Sequence, residues 1–173
     1  YGLLGDMWHL DFSGAAAVWT ELAPYGDVPE RAFSAEVYDP SNDVIYAFGG
    51  EEYHQLGSTH LCMDMETLEW MELLVTGDEI AGLTDAAAVY SADYRAVILY
   101  GGQGYHALPD QAYYIEPTGT CEVEVTALEA GDGTSPGGLA GAGMVWDSAD
   151  DVALIVGGQG YYRISDTIYS LTP

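Results

Sequence analysis

At 173 residues, 49% of them apolar, the chain holds enough material for a sizeable folded core. Its 28 acidic residues face three arginines and no lysine, and the formal net charge of −25 repels nucleic-acid phosphates and anionic membrane surfaces alike. The 14 Tyr and four Trp are incompatible with a disordered acidic tail, and no apolar run is long enough to span a bilayer as a helix.

In chain order, DMWHLD (Asp6–Asp11) alternates polar and apolar residues as a half-wetted strand does, and a W-x-E-L stretch follows at Trp19–Leu22. These are read as the last two strands of a partial unit, residues 1–23. The next unit, 33–75, opens with FSAEVYD (Phe33–Asp39). The Asp- and Asn-rich turn DPSND (Asp39–Asp43) comes next, then the continuous apolar run VIYAFGG (Val44–Gly50). A third segment ends at Asp64, and W-x-E-L recurs at Trp70–Leu73. Residues 86–128 repeat the order with AAAVYSA (Ala86–Ala92), AVILYGG (Ala96–Gly102), a segment ending at Glu116, and Val125–Leu128 in place of the Trp motif. Residues 140–173 supply AGMVWDS (Ala142–Ser148), VALIVGG (Val152–Gly158) and TIYSLT (Thr167–Thr172). The predicted total is 13 strands. The uninterrupted apolar second strand of each unit should be covered on both faces and lie deepest, with the alternating third and fourth strands outside it.

The units share one register. Glycine pairs stand at Gly49-Gly50, Gly101-Gly102 and Gly157-Gly158, and 11 residues before each lies a large aromatic: Tyr38, Tyr90 and Trp146. The third segment ends 15 residues after the first glycine in every case. A period of about 50 residues with four strands, a double glycine closing the second and a Trp opening the fourth resembles the kelch repeat, the blade of a kelch-type β-propeller. The arginine that opens many kelch repeats stands here only at Arg31; Leu83 and Leu139 take the equivalent places. The resemblance implies an all-β segment of four-stranded antiparallel blades, about three and a quarter of them, belonging to a six- or seven-bladed ring. The remaining blades would come from the same chain or from other copies. The glycines are expected to be architectural, since a residue without Cβ lets neighbouring backbones approach.

Between each glycine pair and the next strand lies a loop of constant length: EEYHQLGS (Glu51–Ser58), QGYHALPD (Gln103–Asp110) and QGYYRISD (Gln159–Asp166). Its third position is always tyrosine, and its sixth, Leu56, Leu108 or Ile164, is expected to anchor it. Kelch-like propellers often bind partners on this face. The candidate recognition residues are therefore Tyr53, His54, Tyr105, His106, Tyr161, Tyr162 and Arg163, with Arg31. Tyrosine offers large contact area at small entropic cost; the competing reading packs each tyrosine against the neighbouring blade. The implied ligand is a protein or a glycan, bound without catalysis. Two other readings stay open: the propeller of a carbohydrate-active or galactose-oxidase-like copper enzyme with its catalytic residues elsewhere, and a structural subunit that assembles through open blade edges.

No cofactor is expected. Repetition accounts for the Tyr-His pairs better than copper does, and the acidic hairpins around Asp39, Asp43, Asp147, Asp150 and Asp151 leave only a weak calcium site conceivable. Cys62 and Cys121 fall on different strands of different units and are expected to be unpaired. The acidity points to an extracytoplasmic or secreted setting, or to a salt-rich cytoplasm, where screening relieves self-repulsion.

Overall fold

The computed structural model describes residues 3–53, 55–129, 131, 133 and 135–173. Among them every regular element is a strand. Strands β1 (Met7–Asp11) and β2 (Val18–Leu22) form an antiparallel pair. Strand β3 (Tyr25–Gly26) leads to β4 (Ala35–Asp39) and β5 (Val44–Phe48), and then to β6 (Glu51–Glu52) and β7 (Gln55–Leu56), which close a small hairpin. Strands β8 (Leu61–Asp64) and β9 (Glu69–Glu72) complete a five-stranded sheet in the order β3-β9-β8-β5-β4.

Strand β10 (Leu74–Gly77) comes next, followed by β11 (Ala87–Ser91), β12 (Ala96–Tyr100), β13 (Ala112–Gly119) and β14 (Glu122–Leu128). These five form a sheet ordered β10-β14-β13-β12-β11. Strands β15 (Gly143–Asp147), β16 (Val152–Val156) and β17 (Ile168–Leu171) form a three-stranded antiparallel sheet. All 13 strands expected from the sequence are present, and four short ones are added.

The third and fourth strands lie outside the second as expected, and two of the added strands extend the sheets beyond the fourth. Beyond β9 runs β3, and beyond β14 runs β10, each contributed by the connection that leaves the preceding unit. Both pair in parallel, Tyr25 opposite Glu69 and Leu74 opposite Glu122. A parallel neighbour supplied by a connecting segment is a tertiary event with no local periodicity to announce it.

Alternation along the second strand explains why it reads as continuously apolar. On one face of β5, Val44, Tyr46 and Phe48 pack with Cys62 against Val97, Leu99, Ile115 and Val123 of the following sheet. On the other face, Ile45 and Ala47 join Leu61, Met63 and Trp70 against Met7 of the preceding pair. The equivalent strand β12 is buried at all five positions. A third cluster sets Tyr100 and Ala112 against Leu139, Ile155 and Tyr169. Burial pushes the Tyr100 hydroxyl up to about 12, and it donates to the Gly137 carbonyl oxygen at 2.7 Å.

The first strands of successive units, β4, β11 and β15, lie side by side. The glycine pairs hold that approach. Gly50 N–H donates to Leu83 O and Gly102 N–H to Leu139 O, both at 2.8 Å, across the boundary between units. A Cβ built on Gly49 or Gly101 would stand less than 3.0 Å from those same carbonyl oxygens, and φ is +64° and +67° at the two positions.

Cys62 and Cys121 are joined by a disulfide, with a Cα–Cα separation of 5.8 Å, which overturns the expectation of two free thiols. The expectation treated separate strands in separate units as distant. Stacking places β8 of one unit beside the β13–β14 turn of the next, and that proximity is visible only in three dimensions.

Candidate functional site

Each unit carries a tight hairpin immediately after its glycine pair. Its stem is tied to the connection that enters the unit, through bridges between Ala32 and Glu51, Thr84 and Gln103, and Ala140 and Gln159. Its tip closes by Gly104 N–H to Ala107 O and Gly160 N–H to Arg163 O, both at 2.9 Å. Constant loop length in the sequence thus corresponds to one conserved backbone device within this chain.

The loop tyrosines join neighbouring units. Leu56 N–H donates to the Tyr105 hydroxyl at 3.0 Å, and Leu108 N–H donates to the Tyr161 hydroxyl at 2.7 Å. Each phenol therefore reaches back to the sixth loop residue of the unit before it. The rings stay in solvent, with Tyr105 67% and Tyr161 60% exposed. Tyr53 donates instead to Glu30 Oε2 at 3.1 Å, which holds its hydroxyl above the ordinary value. A second set of aromatic clasps works beside the turns that join the first and second strands. The Tyr90 hydroxyl bonds Ser41 Oγ at 2.7 Å, and Trp146 Nε1 donates to Asp93 Oδ2 at 2.9 Å. The aromatics that stand 11 residues before the glycine pairs are thus partly inter-unit connectors.

The sixth loop position behaves unevenly. Leu56 and Leu108 are half-buried, whereas Ile164 is 81% exposed and anchors nothing. The reason lies next door: a Cβ on Gly138 would overlap the Leu108 carbonyl, so the following unit supplies the cover, and no unit follows Ile164 within these residues.

Among the other candidates, Arg31 faces inward, its side chain 5% exposed. Its Nη1 donates to the carbonyls of Gly49 and Thr59 at 2.8 and 2.9 Å, and its Nη2 pairs with Glu52. Burial lowers its pKa and the Glu52 charge opposes that. This guanidinium holds a loop stem. Leu83 and Leu139 fill the equivalent positions as buried apolar residues. His106 and Tyr162 are exposed, Tyr162 fully so, and Arg163 Nη2 donates to the Tyr169 hydroxyl at 3.4 Å, which lowers the phenol's pKa. His54 lies outside the described residues.

Asp39 and Asp147 are engaged in their own turns. Asp39 Oδ1 accepts from Ser41 N–H at 2.8 Å and Asp147 Oδ1 accepts from Ala149 N–H at 3.0 Å. Among the described residues no three His, Cys, Asp or Glu side chains converge as metal ligands do.

A cleft of about 480 Å³ opens between the Gln103–Leu108 hairpin and the Gln159–Tyr161 segment of the next unit. Tyr105 and Tyr161 stand at its sides, and Gln103, Gln159, Asp85 and His106 contribute polar groups. It gathers Tyr105, His106 and Tyr161 of the sequence-derived set, but not Tyr162 or Arg163. The two glutamines were legible as the Q of the repeated GGQGY, whereas nothing in the sequence singled out Asp85 or Gly141. Both occupy the position of Phe33, and all three residues have left-handed backbone, with φ of 62°, 55° and 64°. They form a ladder in which Gly141 N–H donates to Asp85 O and Asp85 N–H to Phe33 O, each at 2.8 Å. No family model matches the chain, and no curated protein matches it.

Proposed function

We propose that the chain is a segment of a kelch-type β-propeller and serves as a non-catalytic recognition module, with a protein or glycan partner seated on the face where the post-glycine hairpins emerge. Each repeated unit would be one blade, and β4, β11 and β15 would be the inner strands. Support for the blade reading comes from the constant strand order, the lateral approach of those first strands and the glycine-mediated bonds between units. The observation that carries the recognition reading is the cleft itself. Its exposed aromatic rings are fixed by hydroxyl bonds to the preceding unit, and its glutamine side chains are exposed. Groups immobilised before a partner arrives lose less entropy on binding. The disulfide and the acidic surface support an extracytoplasmic, salt-rich setting.

Immobilised protein presented with libraries of oligosaccharides and peptides provides the test. A specific binder is expected whose affinity falls at least about tenfold in the Gln103→Ala/Gln159→Ala variant, with the thermal midpoint unchanged. Binding that survives the double substitution, or the absence of any binder, rejects the reading.

A further inference from the structure

Building on the recognition reading, we propose that the cleft between the Gln103–Leu108 hairpin and Tyr161 takes a neutral oligosaccharide, stacked on tyrosine and held by Gln103, Gln159 and Asp85. The volume of about 480 Å³ falls within the roughly 300–1,000 Å³ of small-ligand sites. A sugar presents an apolar C–H face on one side and hydroxyls around its rim, each of them donor and acceptor. The cleft offers the complements of both. The Tyr105 and Tyr161 rings are exposed yet fixed, because each hydroxyl accepts a backbone N–H from the preceding unit. Having accepted, each phenol retains its own proton to donate. The glutamine amides offer donor and acceptor side by side, at a spacing suited to adjacent hydroxyls, and Asp85 accepts only.

Charge narrows the ligand class further. An anionic ligand would meet the Asp85 carboxylate inside a field of net charge −25. A basic peptide would seek clustered carboxylates, and Asp85 is the single carboxylate among the described residues of the lining. A neutral polyol suits amide, phenol and one acceptor.

One wall of the cleft carries no side chain. A Cβ on Gly141 would meet nothing within 4 Å, so this position faces empty space. In the preceding units the same left-handed position carries Phe33 and Asp85. A side chain is therefore compatible with that backbone, and here its omission leaves room for a ligand. Gly141→Phe places there the residue found two units earlier, on the same left-handed backbone, which strains any side chain but is tolerated at Phe33, and sets a ring at the open wall.

The test is titration calorimetry of the intact protein with cello-, xylo-, manno-, galacto- and chito-hexaose at low salt and at 1 M sodium chloride. At least one hexaose is expected to bind, with less than about a threefold change across the salt range, since a neutral ligand has no charge to screen. Gly141→Phe and Tyr161→Ala should each weaken binding by at least about tenfold, while Tyr161→Phe, which keeps the stacking ring but loses the hydroxyl that fixes it, should lose clearly less than Tyr161→Ala. If Gly141→Phe fails to fold, Gln159→Ala replaces it with the same expected loss. Equal losses for Tyr161→Phe and Tyr161→Ala would overturn the stacking role. Peptide binding blocked by Gly141→Phe, with no hexaose bound, would overturn the glycan proposal and leave the recognition reading standing; silence from both libraries would overturn both.

Discussion

Replacing the first glycine of each pair by alanine probes how much of this fold depends on contact between units. The three positions share sequence context and left-handed backbone, with φ of +64° at Gly49, +67° at Gly101 and +71° at Gly157. The conformational cost of a Cβ there is common to all three, about 1–2 kcal/mol. Their surroundings differ. At Gly101 the new Cβ would lie 2.5 Å from Leu139 O, at Gly49 it would lie closer still to Leu83 O, and at Gly157 it would meet nothing within 4 Å. At Gly49 and Gly101 the neighbouring sheet must therefore retreat, an overpacking cost of about 1–3 kcal/mol. The adjacent bonds from Gly50 and Gly102 to those carbonyls would weaken, a further loss of about 0.5–1.5 kcal/mol. The sums are roughly 2.5–6.5 kcal/mol for Gly49→Ala and Gly101→Ala, against about 1–2 kcal/mol for Gly157→Ala. Urea unfolding followed by tryptophan fluorescence measures the differences, with Trp70 buried in the core as a reporter. Should Gly157→Ala cost as much as Gly49→Ala, the glycines would be there for local backbone conformation alone and the inter-unit argument would fail.

Three further outcomes are expected. The disulfide joins residues 59 apart, and chain entropy for a loop of that size gives about 4 kcal/mol, so Cys62→Ala/Cys121→Ala should lower the thermal midpoint by about 8–16 °C; two titratable thiols in the unreduced native protein would refute the bond. His60 accepts from Gly49 N–H through Nδ1 and approaches Ile80 O through Nε2; burial is the main cause of a pKa below its ordinary 6.5, the Ile80 contact opposes it and the Arg31 charge adds to it. Its folded-state pKa is depressed, so its contribution is present above about 6.5 and is lost as pH falls below that value. Urea midpoints at pH 7.5 and 5.5 should accordingly drop further for the native protein than for His60→Gln, and equal drops would exclude His60 as the group. Finally, a net charge of −25 predicts a thermal midpoint that rises from 0.05 to 2 M sodium chloride by more than that of a near-neutral β protein of similar size, and parallel behaviour would argue against salt adaptation.

What could be read along the chain was whatever has a local cause. Period-2 alternation, continuous apolar runs and turn chemistry placed 13 strands, because the pleat, burial on both faces and the hairpin impose those patterns on neighbours in sequence. The repeat register singled out the glycine pairs and the hairpins that follow them, since identical units need identical devices at identical offsets. Tertiary structure decided the rest. Cys62 and Cys121 pair because one sheet stacks on the next, and β3 and β10 become strands only by lying beside β9 and β14. The same placement made Arg31 an internal support and set Tyr105 and Tyr161 as clasps with exposed rings. It also brought Asp85 and Gly141, which no motif marked, to the edge of the cleft. Sequence spacing carries the period of a repeat, but which side chains meet across two units depends on the distance and angle between them, and those are set by how the apolar faces of whole sheets fit together.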